Sequence, residues 1–114
     1  MTLSPTKLAD ARIAAAEVFI ADGLAGTNWG DREDADDTLR RVAEAAPFFV
    51  RYVVHERGTI DVRVDERRGR MFVDVEPVKL GRLSPDDAER AALLLQRAIA
   101  VARKVEAAIA EVVR

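Results

Sequence analysis

The chain has 114 residues, a length typical of one domain, and the sequence predicts a single domain over residues 1–114. Hydrophobic residues make up 49% and charged residues 33%, with a net charge of −2, which excludes nucleic-acid binding through bulk positive charge. The absence of cysteine excludes disulfides and thiolate metal sites and fits a cytoplasmic location, and no apolar run approaches the roughly 18 residues of a membrane span.

The N-terminal part predicts two helices separated by a loop. Ser4-Pro5 is typical of a helix start, apolar residues follow on two adjacent stripes at helical spacing, and Gly23 is a natural stop. Because two stripes are apolar, we expect this helix to be covered on two sides. A glycine-rich loop over residues 22–33 contains the only tryptophan, and an acid-capped short helix is predicted over residues 34–46.

Three runs with period-two alternation then predict a three-stranded antiparallel meander. The apolar residues that share one face are Phe48, Val50, Tyr52 and Val54 in the first run, Ile60, Val62 and Val64 in the second, and Met71, Val73 and Val75 in the third. The turns Glu56-Arg57-Gly58 and Arg67-Arg68-Gly69 are interpreted as three-residue loops closed by glycine. With that loop length, Val54 is predicted to pair with Ile60.

The C-terminal part predicts one long helix that begins at Ser84-Pro85-Asp86-Asp87 and runs towards residue 114. Its apolar arc over residues 91–113 covers about half of the circumference, which is wider than one sheet face needs. Two explanations of this arc are open. It can form a coiled coil with a second copy of the chain, or it can pack against the first helix and the sheet. The sequence therefore predicts an α+β fold of order α-α-β-β-β-α, with the meander packed on helices.

A mixed surface is predicted on the charged face of the sheet. Phe49, Val53 and Phe72 fall on the same face as Arg51 and Arg63, together with several acids. An apolar centre inside a charged rim is how a protein interface is built. We expect these five residues to bind a partner unless the short helix covers them.

The densest basic cluster lies at the second turn and consists of Arg63, Arg67, Arg68 and Arg70. A basic hairpin of this kind can grip phosphates, so residues 63–70 are an alternative nucleic-acid site. It can equally be a solvated turn, because acidic residues stand beside it.

No catalytic, cofactor or metal signature is found in the sequence. His55, the only histidine, would need an orienting carboxylate such as Asp61 across the strands, and a solvated sheet residue is the simpler interpretation. The acidic run over residues 31–37 lacks the glycine and glutamate of a calcium loop and is typical of a helix start.

Residues 58–106 resemble the YbaB/EbfC family. The segment GTIDVRVDERRGRMFVDVEP has a glycine-started strand of alternating valines, a glycine turn and a second strand ending near a proline, and LSPDDAERAALLLQRAIAVARKVE is an acid-capped helix. The resemblance implies a small, dimeric, nucleoid-associated DNA-binding protein.

The leading hypothesis is a non-enzymatic, homodimeric protein-interaction module in the cytoplasm, such as an adaptor, a chaperone-like protein or a regulatory protein. The first alternative is a dimeric nucleic-acid-binding protein that uses the basic hairpin. The second is a small enzyme with a cavity between sheet and helices, which ranks last because no convergent polar set is predicted there.

Overall fold

The computed structural model describes residues 3–21, 35–45, 48–56 and 58–114. Within them the elements in chain order are α1 (Pro5–Ala21), α2 (Ala35–Glu44), β1 (Phe48–His55), β2 (Gly58–Arg67), β3 (Arg70–Val78) and α3 (Pro85–Val113). The predicted α+β class and the order α-α-β-β-β-α are confirmed, and the strands form an antiparallel sheet in the order β1-β2-β3. The predicted stop at Gly23, the loop over residues 22–33 and the cap at Asp34 lie outside the described residues.

The register of the first hairpin differs from the prediction. Ile60 pairs with Tyr52 and not with Val54, and His55 pairs with Gly58 beyond an irregularity between Val53 and His55. The loop is therefore shorter than three residues, with a bulge on the β1 side. A slip of two residues returns every side chain to the same face, so the hydrophobic pattern could not detect the error.

The second hairpin is also tighter than predicted. Arg67 pairs with Arg70, which leaves a two-residue turn at Arg68 and Gly69, with φ values of 53° and 74°. Positive φ at both central residues is the signature of a type I′ turn, whose twist matches that of the flanking strands. Glycine takes this conformation without strain, whereas Arg68 does not.

The core lies between one sheet face and the helices. This inner face of β1 and β2 is fully buried, and its residues are Phe48, Val50, Tyr52, Val54, Ile60, Val62 and Val64. Phe19 of α1 meets Phe48 edge to face, with ring centroids 5.6 Å apart. The inner-face residues of β3 are only half-buried, so coverage by the helices fades towards that edge of the sheet.

The apolar arc of α3 is used largely within the chain. α3 packs against α1 and against all three strands. Its buried residues are Ala91, Ala98, Val101, Ala102, Val105 and Ile109. Packing on the first helix and the sheet thus accounts for most of the arc, although Leu93, Leu95 and Ile99 remain exposed.

The predicted covering of α1 on two sides is incomplete among the described residues. Ala16 of its second apolar stripe is buried, but Ile13 of the same stripe is 41% exposed.

Hydrogen bonds and an ion pair connect the helices to one another and to β2. The Lys7 ammonium donates to the carbonyl of Arg114 at 2.7 Å and to that of Val112 at 3.4 Å, which satisfies acceptors at the negative end of α3. Arg12 of α1 pairs with Glu66 of β2 and donates to the Ala43 carbonyl of α2. None of the described helices combines the length and the apolarity needed to cross a membrane.

Candidate functional site

The second face of the sheet, called the outer face here, carries five cross-strand rows. They are Phe49–Arg63–Asp74, Arg51–Asp61–Glu76, Val53–Thr59–Val78, Asp65–Phe72 and, next to the turn, Arg67–Arg70. The described part of α2 packs against α1. Val53 and Phe72 are 54% and 39% exposed. Within the described residues, this face is therefore open to solvent, and the short helix does not close it.

Arginine side chains lie over the two phenylalanine rings of the outer face. The guanidinium carbon of Arg51 is 5.0 Å from the ring centre of Phe49, and that of Arg63 is 5.9 Å from the same centre. Arg67 stands 5.8 Å from the ring centre of Phe72. A cation over an aromatic face is favourable and covers part of the ring. Guanidinium groups thus cover part of both rings.

One ion pair of this face is buried on its acidic side. Asp61 is only 2% exposed, and both of its carboxylate oxygens accept from Arg51, at 2.9 Å from Nε and 3.0 Å from Nη2. These hydrogen bonds and the charge of Asp61 raise the pKa of Arg51 above its ordinary value. A two-pronged contact of this type fixes the guanidinium plane. Arg51 is therefore held in place above Phe49.

The other ion pairs of the outer face are exposed. Arg63 pairs with Glu76 at 3.2 Å, and Arg67 pairs with Asp65 at 3.3 Å and Asp74 at 3.2 Å. Exposed pairs contribute little stability, roughly 0–1 kcal/mol each. These pairs also neutralise much of the positive charge on which the predicted nucleic-acid site depends.

The basic cluster at the second turn is largely paired with other groups and does not present four unpaired cations to solvent. Arg68 is exposed at the turn, whereas Arg63 and Arg67 are bound to carboxylates on neighbouring strands and Arg70 has a partner as well. The sequence alone could not show which of these arginines are bound to carboxylates and which are exposed, because ion pairing depends on the cross-strand register. Nucleic-acid binding by residues 63–70 stays a prediction.

Charge is distributed unevenly across the outer face. β1 contributes the cation Arg51, whereas β3 contributes the acids Asp74 and Glu76 and, next to the turn, Arg70. The central strand β2 alternates the two signs. Away from the turn, the cation therefore lies at the β1 edge and the acids lie at the β3 edge, a polarity visible only once the strand order is known.

His55 lies at the end of the sheet remote from the second hairpin. An added Cβ at Gly58 would come within 2.9 Å of His55 Nε2, so the glycine allows the ring to lie against the backbone. Both carboxylate oxygens of Asp61 are engaged by Arg51, which leaves that carboxylate occupied rather than dedicated to His55. The suggested pairing of His55 with Asp61 therefore has no support in the geometry.

Among the pockets that border the described elements, two lie next to residues discussed above. The first, of about 450 Å³, lies between α1 and α2 and is mainly apolar, with Ile13 and Leu39 in its lining. The second, of about 650 Å³, lies beside His55 and includes Lys79 and Arg82. Sequence reasoning missed this second pocket, because the pocket forms only where the segment after β3 returns to the first hairpin.

Among the described residues, no three His, Asp or Glu side chains converge as metal ligands would.

Comparison of the chain with family models, with curated proteins and with solved structures gives no match. The resemblance of residues 58–106 to the YbaB/EbfC family accordingly stays a prediction.

Proposed function

We propose that this chain is a non-enzymatic protein-interaction module that binds a second copy of itself through the outer face. The observation that carries the proposal is an open sheet face on which Phe49 and Val53 of β1 and Phe72 of β3 lie on either side of the charged residues of β2. Such a face offers apolar side chains together with charged ones, as protein interfaces do, although its apolar residues are on the two edge strands and not in the predicted apolar centre. The dimer would serve as an adaptor, chaperone-like or regulatory unit in a reducing, cytoplasmic compartment.

The charge polarity selects one arrangement of the two copies. In a symmetric dimer the same patch meets itself across a twofold axis. If the axis runs along the strands, the β1 edge of one copy lies over the β3 edge of the other. Arg51 then faces Asp74 and Glu76 of the second copy. An axis across the strands would instead bring like charges together, which is destabilising.

The size of the outer face sets the expected affinity. Three strands about 4.8 Å apart and nine residues with a rise of about 3.3 Å give a face of roughly 14 Å by 30 Å, or roughly 400 Å². Stable interfaces bury about 800 Å² per partner, so this face is near half of that size. We therefore expect a weak dimer whose population depends on the protein concentration.

Nucleic-acid binding remains the alternative to self-association. The carboxylates bound to Arg63 and Arg67 lower the positive potential that a phosphate backbone would meet, which favours a protein partner. Absence of a mobility shift with duplex and single-stranded DNA at low salt would remove this alternative. A shift that disappears when Arg67, Arg68 and Arg70 are replaced would establish it.

Sedimentation velocity over a wide concentration range tests self-association. Phe72→Ala is expected to weaken the dimer about tenfold or more, since burial of one aromatic side chain is worth roughly 1.5–3 kcal/mol. Its melting temperature should remain near that of the parent protein. The control Val62→Ala, at a fully buried inner position, should lower the melting temperature and leave the monomer–dimer constant of the folded protein unchanged.

The charge polarity gives a second test. Asp74→Lys with Glu76→Lys makes the β3 edge positive and should abolish the dimer, because Arg51 of the second copy then meets like charge. Glu89→Lys with Glu111→Lys, at exposed positions on α3, changes the net charge equally and should leave the dimer intact. A purely monomeric mass at millimolar concentration would contradict the proposal, as would Phe72→Ala unfolding the protein as severely as Val62→Ala.

A further inference from the structure

A cationic pocket lies at the end of the sheet where β1 turns into β2. Its volume is about 650 Å³, within the range of small-molecule sites. One wall comes from the strand ends and the other from the segment between β3 and α3. Its lining residues are Arg51, His55, Glu56, Thr59, Val78, Lys79, Gly81 and Arg82.

Positive charge dominates the lining. Arg51, Lys79 and Arg82 stand against a single carboxylate, that of Glu56. Arg51 is already bound to Asp61. Within the part of the chain that the structure describes, neither Lys79 nor Arg82 forms an ion pair or a side-chain hydrogen bond. Two cations are thus available in a pocket whose other polar lining residues are Arg51, His55, Glu56 and Thr59.

The backbone at Lys79 is unusual. Its φ is 56°, in the left-handed region that glycine adopts freely and that a lysine adopts at a cost. Residues held in such conformations cluster at binding sites, where the strain is maintained by the surroundings. At Lys79 the conformation puts a cationic residue, rather than a glycine, in the pocket lining. Gly81 two residues later leaves open space, since an added Cβ there would meet nothing within 4 Å.

We propose that this pocket binds the phosphate group of a small phosphomonoester. Lys79 and Arg82 supply the counter-charge, and Arg suits phosphate because its fork donates two parallel hydrogen bonds. Thr59 of β2 also lines the pocket, and its hydroxyl would donate a further hydrogen bond. The pocket adjoins the outer face, because Arg51, Thr59 and Val78 belong to both, whereas Lys79 and Arg82, which supply the counter-charge, lie outside the rows of that face.

A single phosphate group fits the charges better than a long polyanion. The adjoining outer face carries four arginines, Arg51, Arg63, Arg67 and Arg70, and an equal number of carboxylates, so the excess of positive charge is confined to the pocket. A polyanion needs a continuous basic track along its backbone. Here, the positive region has the size of one phosphorylated small molecule.

Amide NMR titrations of the full chain at constant ionic strength test the proposal. Adenosine monophosphate and inorganic phosphate should give saturable shifts confined to residues 55–59 and 78–82, while acetate should bind at least tenfold more weakly. Arg82→Ala and Lys79→Gly should each weaken binding of adenosine monophosphate about tenfold, as loss of one charge-assisted hydrogen bond does. Lys79→Gly also relieves the backbone conformation, so its melting temperature should be equal or higher.

The control is Arg97→Ala, an exposed arginine on α3, which should leave the affinity unchanged. Phosphatidic acid vesicles form a separate arm. Equal binding of soluble phosphate and vesicles supports the shared phosphate chemistry, whereas binding to vesicles alone would overturn a small-molecule site. Shifts that rise linearly without saturation, equal binding of acetate, or equal losses in Arg97→Ala and Arg82→Ala would also overturn it.

Discussion

The two faces of the sheet cover their apolar side chains by different means. On the inner face, helices α1 and α3 bury Phe48, Val62 and their neighbours completely. On the outer face, arginines cover part of Phe49 and Phe72, and the same arginines are held by carboxylates on adjacent strands. The first covering is permanent and supplies stability. The second consists mostly of exposed ion pairs that cost little to rearrange, which leaves that face free to bind.

Phe48 and Phe49 allow the sharpest test of this difference, because they are consecutive phenylalanines on opposite faces. Phe48→Ala should destabilise the fold by about 3–5 kcal/mol, since it removes a buried ring that contacts Phe19 and leaves a cavity. Phe49→Ala should cost about 1 kcal/mol or less. Urea unfolding followed by circular dichroism measures both variants. Equal losses would show that the outer face is also core.

The arginines of the outer face give the next largest expected effect. Arg51→Ala should cost about 1–3 kcal/mol, because it leaves the buried carboxylate of Asp61 without its charged donor. Arg63→Ala, whose partner Glu76 is exposed, should cost below about 1 kcal/mol.

Adding Asp61→Asn to Arg51→Ala should recover part of the loss in the same unfolding assay, since the unpaired buried charge is then removed. An additive double mutant would contradict the coupling that the geometry indicates.

The smallest expected effect concerns Val53 and Val54, again consecutive residues on opposite faces. Val54→Thr puts a hydroxyl into the core and should cost about 1–2 kcal/mol. Val53→Thr should remain within about 0.5 kcal/mol of the parent, because this side chain is mostly exposed. Thermal unfolding of the two variants side by side provides the measurement. A larger loss for Val53→Thr would reverse the assignment of the two faces.

The sequence was sufficient for the elements and the faces but not for the register. Alternation in Ile60, Val62 and Val64 identifies which side of β2 is buried, and the acid-capped start at Ser84 identifies α3, whose Asp87 amide donates to the Ser84 hydroxyl. Pairing of Tyr52 with Ile60 depends on the turn and the bulge, and neither of them changes the alternation of apolar and polar residues along the strands.

The candidate sites follow the same division. Phe49 and Arg51 share a face by period-two spacing alone, so their proximity could be expected from the sequence. The bidentate bond from Arg51 to Asp61 requires the true register, in which these two residues are directly opposite. Lys79 and Arg82 lie in the irregular segment between β3 and α3. Its course brings both residues to the pocket, and the hydrophobic pattern of the sequence does not specify that course.

The pairing of α1 with α3 has a consequence for how the chain folds. Lys7 reaches the carbonyls of Val112 and Arg114, and the entire sheet lies between the two helices in the sequence. During synthesis α1 emerges before α3, its main packing partner, so we expect its alanine-rich stripe to stay unpaired while the hairpins are already able to form. The contact between α1 and α3 closes the longest loop among the described elements, and since a longer loop costs more entropy to close, we expect docking of α3 to be a late step of folding.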